Sequence, residues 1–232
     1  MLRMLPRLGR SASFAAAAAL AAVLFAGAPA GAQENATKVP GASATASSAK
    51  GEVDVNELMA PGPLPDVVMG KADAPITIVE YASMTCGHCA DFAVNTLPTI
   101  QKDYIDTGKA KLILREFPFD PRAVAGFMLA RCAPEGRRNA MVEVLFQQQE
   151  AWAHAQNASQ ALLDISRLAG FTDDSFKACL SDKDLQAKVV ATQKRGADTF
   201  GVEATPTFFI NGKRYEGALP PAEFAAILDA AS

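Results

Sequence analysis

The sequence predicts an α/β domain interrupted by an all-helical block, on three observations. Two apolar, β-branched runs flank a helix-periodic stretch between residues 76 and 117. Helical periodicity alone fills residues 121–200. A strand, an Asn-Gly turn and a second strand follow near the C-terminus.

The elements follow in order. ITIVEYA at 76–82, behind Ala74-Pro75, has the length and composition of a buried strand. Residues 86–106 carry Phe92, Ala93, Leu97, Ile100, Tyr104 and Ile105 near helical spacing, so the strand runs into a helix. Pro98 falls inside that helix and predicts a kink, because proline removes a hydrogen bond. KLILREF at 111–117 is a second strand, and strand, helix, strand in this order implies a right-handed parallel βαβ unit. Helical runs are centred on 124–132, 141–152, 161–168, 174–180 and 185–200. TFFI at 207–210 is a strand, Asn211-Gly212 a type I′ turn, 214–216 the return strand, and a last helix starts near Pro220. A short helix is expected at 53–59, within a stretch otherwise rich in Ala, Ser, Gly and Pro.

Upstream of these elements the chain reads differently. Arg3, Arg7 and Arg10 precede an apolar run of about 13 residues, shorter than the roughly 20 of a membrane span. Small residues ending in Ala30-Gly31-Ala32 follow, the order of a secretory signal cleaved after Ala32. An uncleaved anchor is the alternative. The domain plan is therefore a signal peptide at 1–32, a flexible linker or extension at 33–65, the first part of the α/β fold at 66–120, a helical insertion at 121–200 and the second part at 201–232. With 22 Lys and Arg against 25 Asp and Glu, the net charge is −3, which argues against a nucleic-acid partner. Export, for which an alanine-rich signal suggests a bacterial periplasm, would place all four cysteines where disulfides persist.

Cys86-Gly87-His88-Cys89 is the sharpest chemical feature. Two thiols at i and i+3 on a first helical turn share a face and can close a small disulfide ring. The unpaired N–H groups and positive dipole end of the helix favour a thiolate there. The dipole supplies about 0.3–1 kcal/mol, whereas one pKa unit requires about 1.4 kcal/mol. A strongly acidic thiol needs further donors, and the His88 imidazole is the candidate beside Cys86. A stabilised thiolate favours the reduced form, so the oxidised pair passes its disulfide on. Half of a zinc knuckle is the other reading of this motif. Its remaining ligands would be His88, Cys132, His154 and Cys179, which are too scattered for a zinc site, so no metal is expected.

EYASMTCGHC, the helical insertion and the later ATPTFFING together resemble the thioredoxin superfamily, in its DsbA-like branch of exported thiol-disulfide oxidoreductases. The resemblance spans roughly residue 66 to the C-terminus and implies a thioredoxin fold with an inserted all-helical subdomain. It makes Cys86 the exposed nucleophile and Cys89 the buried resolving thiol. It also implies a cis Pro206 facing the pair, with the Thr205 backbone pairing with an extended substrate strand. Glu80 interrupts an apolar strand and is either solvent-facing or buried; the family places an acid here, which would exchange a proton with Cys89. No bound organic cofactor is implied beyond the Cys86–Cys89 disulfide. The partners implied are reduced or unfolded exported proteins and a quinone-linked membrane protein of the DsbB type that reoxidises the pair. The Gly-His dipeptide differs from the Pro-His usual in DsbA and matches protein disulfide isomerases, which keeps isomerase or reductase activity as an alternative. A non-redox peptide-binding chaperone is a reading from another class. Only a short low-complexity stretch precedes the core, without a dimerisation domain, so a monomer is expected.

Cys132 and Cys179 lie on apolar faces of two helices of the insertion. Export favours their pairing over two buried free thiols, closing a loop of about 47 residues worth roughly 4 kcal/mol. Trp152 reads as a packing residue and His154 as exposed.

Overall fold

The computed structural model describes residues 46–232. The signal-peptide expectation for 1–32 and the part of the linker at 33–45 lie outside the described residues.

β2 (Ile76–Ala82) and β3 (Ala110–Glu116) pair in parallel with Ile78 opposite Leu112 and Glu80 opposite Leu114. Both are buried along nearly their whole length, which is why they read as continuous apolar runs rather than alternating ones. β4 (Thr207–Ile210) pairs antiparallel with β2, β5 (Lys213–Glu216) antiparallel with β4, and β1 (Val68–Met69) antiparallel with the outer side of β3, giving the order β1-β3-β2-β4-β5. The β4–β5 turn holds Asn211 at φ 48° and Gly212 at φ 87°, the left-handed pair that a type I′ hairpin requires.

The two-residue period of β2 sorts its side chains. Ile76 and Ile78 join Phe92, Ile100, Phe208 and Phe224 in a cluster on one face, and Val79 and Tyr81 join Phe117, Phe200 and Phe209 on the other. Glu80 continues the Ile76, Ile78 row.

The helix after β2 begins as α2 (Gly87–Asp91), widens to a π-helical turn (Phe92–Thr96), tightens at α3 (Leu97–Ile100) and widens again (Gln101–Ile105). Pro98 is the cause. It has no N–H to donate, and its ring would press on the carbonyl four residues back, so the expected kink takes the form of a widened turn beside it.

Six helices then follow: α4 (Pro121–Cys132), α5 (Arg138–Gln147), α6 (Gln149–Ala153), α7 (Ala158–Leu168), α8 (Asp173–Ser181) and α9 (Lys183–Phe200). The helix expected at 141–152 is two, broken at Gln148 (φ −105°, ψ 17°). Asp120 caps α4 by accepting from the Arg122 and Ala123 N–H groups. Glu116, at the end of β3 and 0% exposed, accepts from Arg131 of α4 and Arg138 of α5, which ties the block to the sheet. Cys132 and Cys179 are disulfide-bonded, joining α4 to α8. The last helix is α10 (Pro221–Ala230).

One expectation is corrected. Ordered packing does not wait until Asp66. Lys50 N donates to Arg214 O, Arg214 N to Gly51 O and Val53 N to Gly212 O, so residues 50–53 lie along the free edge of β5. α1 (Val55–Met59) follows, and its Leu58 is 1% exposed within the Val79, Tyr81, Phe117 cluster. The low-complexity composition conceals this, because a single buried leucine is worth about 1.5–3 kcal/mol and an unpaired strand edge offers backbone partners to any extended segment.

Candidate active site

The join of β2 and α2 builds the site. Cys86 is the N-cap of α2 (φ −83°, ψ 118°) with its side chain half-exposed, and Cys89, one turn on, is 0% exposed. Both are free thiols here. The loop before them is anchored by hydroxyls: Ser83 Oγ meets Thr85 Oγ1 at 3.3 Å, and Thr85 Oγ1 donates to Asp120, the residue that caps α4.

The two thiols differ sharply. Cys86 is pulled down to about 5, chiefly by a hydrogen bond from the Cys89 thiol. Partial burial opposes this, and the Thr205 side chain and the backbone N–H groups of Cys89 and His88 reinforce it. Cys89 is pushed far above the usual thiol range, first by burial, then by its hydrogen bond to Cys86 and the negative charges of Glu80 and Cys86. A shared proton between neighbouring thiols produces this opposition: whichever sulfur is the anion, the other serves it as donor. The exposed sulfur is the better solvated anion.

Thr205 and Pro206 come to the same point from the far end of the chain. The Thr205–Pro206 bond is cis. Thr205 offers its carbonyl to the protonated thiol, with Cys86 Sγ donating over 3.3 Å, and its side chain to the thiolate.

Glu80 is buried at 2% exposure, and its Oε1 has no hydrogen-bond partner. Burial, and secondarily the Cys86 charge, push it up to about 8. It lines a cavity of about 160 Å³ whose walls include Leu112, Leu114, Leu97, Val142 and Phe146.

His88 is placed differently from the expectation. Its imidazole is solvent-exposed, and the group that reaches Cys86 is its backbone N–H. In the first turn the free N–H groups point back at the N-cap, while the residue 88 side chain projects outward. The helix start therefore supplies through its backbone what the sequence suggested for the ring.

Of the expected residues, Cys86, Cys89, Glu80, Thr205, Pro206 and the His88 backbone gather here, and Cys132 and Cys179 bridge two helices of the insertion. Trp152 is fully buried, and His154 is exposed beside Glu150. Sequence reasoning missed Gln149, whose side chain reaches the cysteine loop. Nothing distinguishes it in the run QQQE.

Known proteins resemble this chain in sequence and in fold. The thioredoxin family model matches residues 64–230. A Rickettsia prowazekii protein named as a protein-disulfide oxidoreductase is 33% identical over 154 residues, 65% of this chain, and the match spans 56% of that relative's length. The chain thus covers little more than half of the Rickettsia relatives it matches. A crystal structure of alpha-DsbA1 from Wolbachia pipientis is 33% identical with a TM-score of 0.69, covering 75% of this chain and 94% of that one. BdbD from Bacillus subtilis, at 22% identity and a TM-score of 0.63, shares the fold. On the family match and the Wolbachia likeness, the chain belongs to the thioredoxin family, in its DsbA-like branch.

Proposed function

We propose that this protein introduces disulfide bonds into exported proteins through the Cys86–Cys89 pair. The observation that carries the reading is the asymmetry of the two thiols: Cys86 is half-exposed at the N-terminus of α2 beside the Thr205 carbonyl, and Cys89 is fully buried one turn on.

In the oxidised enzyme a substrate thiolate attacks Cys86 Sγ. The substrate–Cys86 bond forms, the Cys86–Cys89 bond breaks, and Cys89 leaves as a thiolate. Burial makes that anion costly, so it takes a proton, and Glu80, protonated at neutral pH, is the acid placed to give it. The cavity beside Glu80 has room for water, and its lining also includes Gln101, Asn139, Glu143 and Gln147 as polar partners, so water there would be the route by which the carboxylate recovers its proton. A second substrate thiolate attacks the substrate sulfur of the mixed disulfide, and Cys86 departs as a thiolate stabilised where it stands. Two electrons have then passed from substrate to enzyme, so an external oxidant must restore the pair; a quinone-linked membrane partner of the DsbB type is the class proposed. No organic cofactor or metal is required. The Thr205 backbone beside the cis Pro206 serves to pair with an extended substrate segment, and reduced exported proteins are the substrates.

Export is supported by the signal-like order of residues 1–32. Among the described residues no helix is long and apolar enough to cross a membrane. We assign the protein to the periplasm and treat it as a monomer.

The test is the reduction potential of the Cys86–Cys89 pair in residues 33–232, equilibrated against glutathione, with Cys132 and Cys179 followed separately by mass. A value of about −120 to −180 mV supports disulfide donation. A value near about −270 mV would make the protein a reductase and overturn the proposed direction.

A further inference from the structure

The helical block reaches the cysteine loop through one side chain that the reaction above does not use. Gln149 opens α6 and is 4% exposed. Its Nε2 donates to two backbone carbonyls of the loop, Met84 O at 2.8 Å and Cys86 O at 3.0 Å. One amide group thus holds the peptide planes on either side of the Thr85-Cys86 step. The same Cys86 oxygen accepts the Cys89 and Ala90 N–H groups that open α2, each at 3.1 Å. The first helical turn, whose His88 and Cys89 N–H groups serve the Cys86 sulfur, is therefore oriented at an oxygen that Gln149 also grips.

The placement of Gln149 is well braced. The helix break at Gln148 turns α6 inward. Trp152, 0% exposed, fixes α6 by donating from Nε1 to Leu145 O at 2.8 Å. Met84 and Trp152 both close on Gly126, where an added Cβ would lie 3.2 Å from Met84 and 3.4 Å from Trp152. A buried amide with both protons on carbonyls of a reacting loop has little rotational freedom, so its contribution is geometric.

We propose that Gln149 is a positioning residue for the reacting thiol: by gripping the carbonyls of Met84 and Cys86 it holds the Cys86 sulfur against the N–H groups of the first turn, so that the helical insertion sets the thiolate content and redox equilibrium of the pair. This rests on the reading of Cys86 and Cys89 as the redox pair. A merely structural brace would stabilise the oxidised and reduced proteins alike. A positioning role acts on the difference between them, because only the reduced form carries the Cys86 thiolate.

Gln149→Leu keeps the apolar bulk and removes both donors, and Gln149→Asn keeps the amide but is one methylene too short to span both carbonyls. The readouts are the ultraviolet absorbance of the Cys86 thiolate against pH and the equilibrium with glutathione. Gln149→Leu should raise the Cys86 pKa by about one unit, a tenfold loss in the ionisation equilibrium. The glutathione equilibrium should shift about tenfold toward the protein disulfide, roughly 30 mV more reducing, with Gln149→Asn in between. An unchanged titration and equilibrium in a variant that only unfolds more readily in both redox forms overturns the proposal. If the leucine variant does not fold, the asparagine variant decides by the same readouts. An ordinary Cys86 thiol in the unaltered protein would instead overturn the proposed function, so the two failures are distinguishable.

Discussion

Replacing Glu80 with glutamine should remove one arm of the pH dependence of stability in the reduced protein. The carboxyl is raised from 4.5 in the unfolded chain to about 8 in the fold. Between those values the unfolded state releases a proton that the native state keeps, so the native state loses stability as pH rises. The contribution is complete below pH 4.5, falls by about 1.4 kcal/mol per pH unit and has levelled off above pH 8. At pH 7 the cost is about 3 kcal/mol. Cys86 works in the opposite sense. Its pKa falls from 9.0 to about 5, so its contribution is present above pH 9 and is lost as pH falls through 5, with a magnitude reduced by the screening of a half-exposed anion. The two slopes oppose each other between pH 5 and 8, and the reduced protein should show a shallow pH dependence there. In Glu80→Gln the Cys86 slope stands alone, and stability should climb with pH. The buried amide adds a penalty of about 1–3 kcal/mol that does not vary with pH, so the slope carries the test and the offset does not. The assay is urea unfolding of both reduced proteins at half-unit steps from pH 4 to 8.5. Parallel pH profiles for the two proteins would refute the assignment of Glu80 as a buried acid that stays protonated at neutral pH.

Two further outcomes follow from the packing. Gly196 of α9 lies against Tyr81, where an added Cβ would sit 2.8 Å from the ring and 3.2 Å from Phe117. Gly196→Ala should therefore cost about 1–3 kcal/mol by overpacking, despite a helix-propensity gain of at most about 1 kcal/mol; thermal unfolding checks it, and a more stable variant would show that the ring yields. Replacing Cys132 and Cys179 together with alanine opens a link across 47 residues and should lower stability by roughly 4 kcal/mol. The rate of thiol-disulfide exchange by the folded fraction should be unchanged, because neither sulfur belongs to the reacting pair. Denaturant unfolding and exchange kinetics measure the two effects separately.

Much of the fold is legible along the chain because its signals are local. The buried central strands announce themselves as unbroken apolar runs, the Asn211-Gly212 pair marks the hairpin, and Pro98 marks the deformed helix. The N-terminal extension is read only in part: the short helix expected at 53–59 is α1, but the packing around it escapes the sequence for the converse reason. Its order comes from the edge of β5 and from the pocket that receives Leu58, neither of which lies nearby in sequence.

The same division runs through the site. The sequence alone determines that two thiols stand three residues apart on the first turn of a helix, where free N–H groups favour an anion, and that an acid interrupts the strand leading to them. Only the tertiary structure decides which group reaches which sulfur. It turns the His88 ring outward and its N–H inward, closes apolar walls around Glu80, and brings Thr205 and Gln149 to Cys86 across 119 and 63 residues. The physical reason is range. Helix ends and strand periods depend on neighbours within a few residues, whereas desolvation and hydrogen bonding across elements depend on what the folded chain packs together.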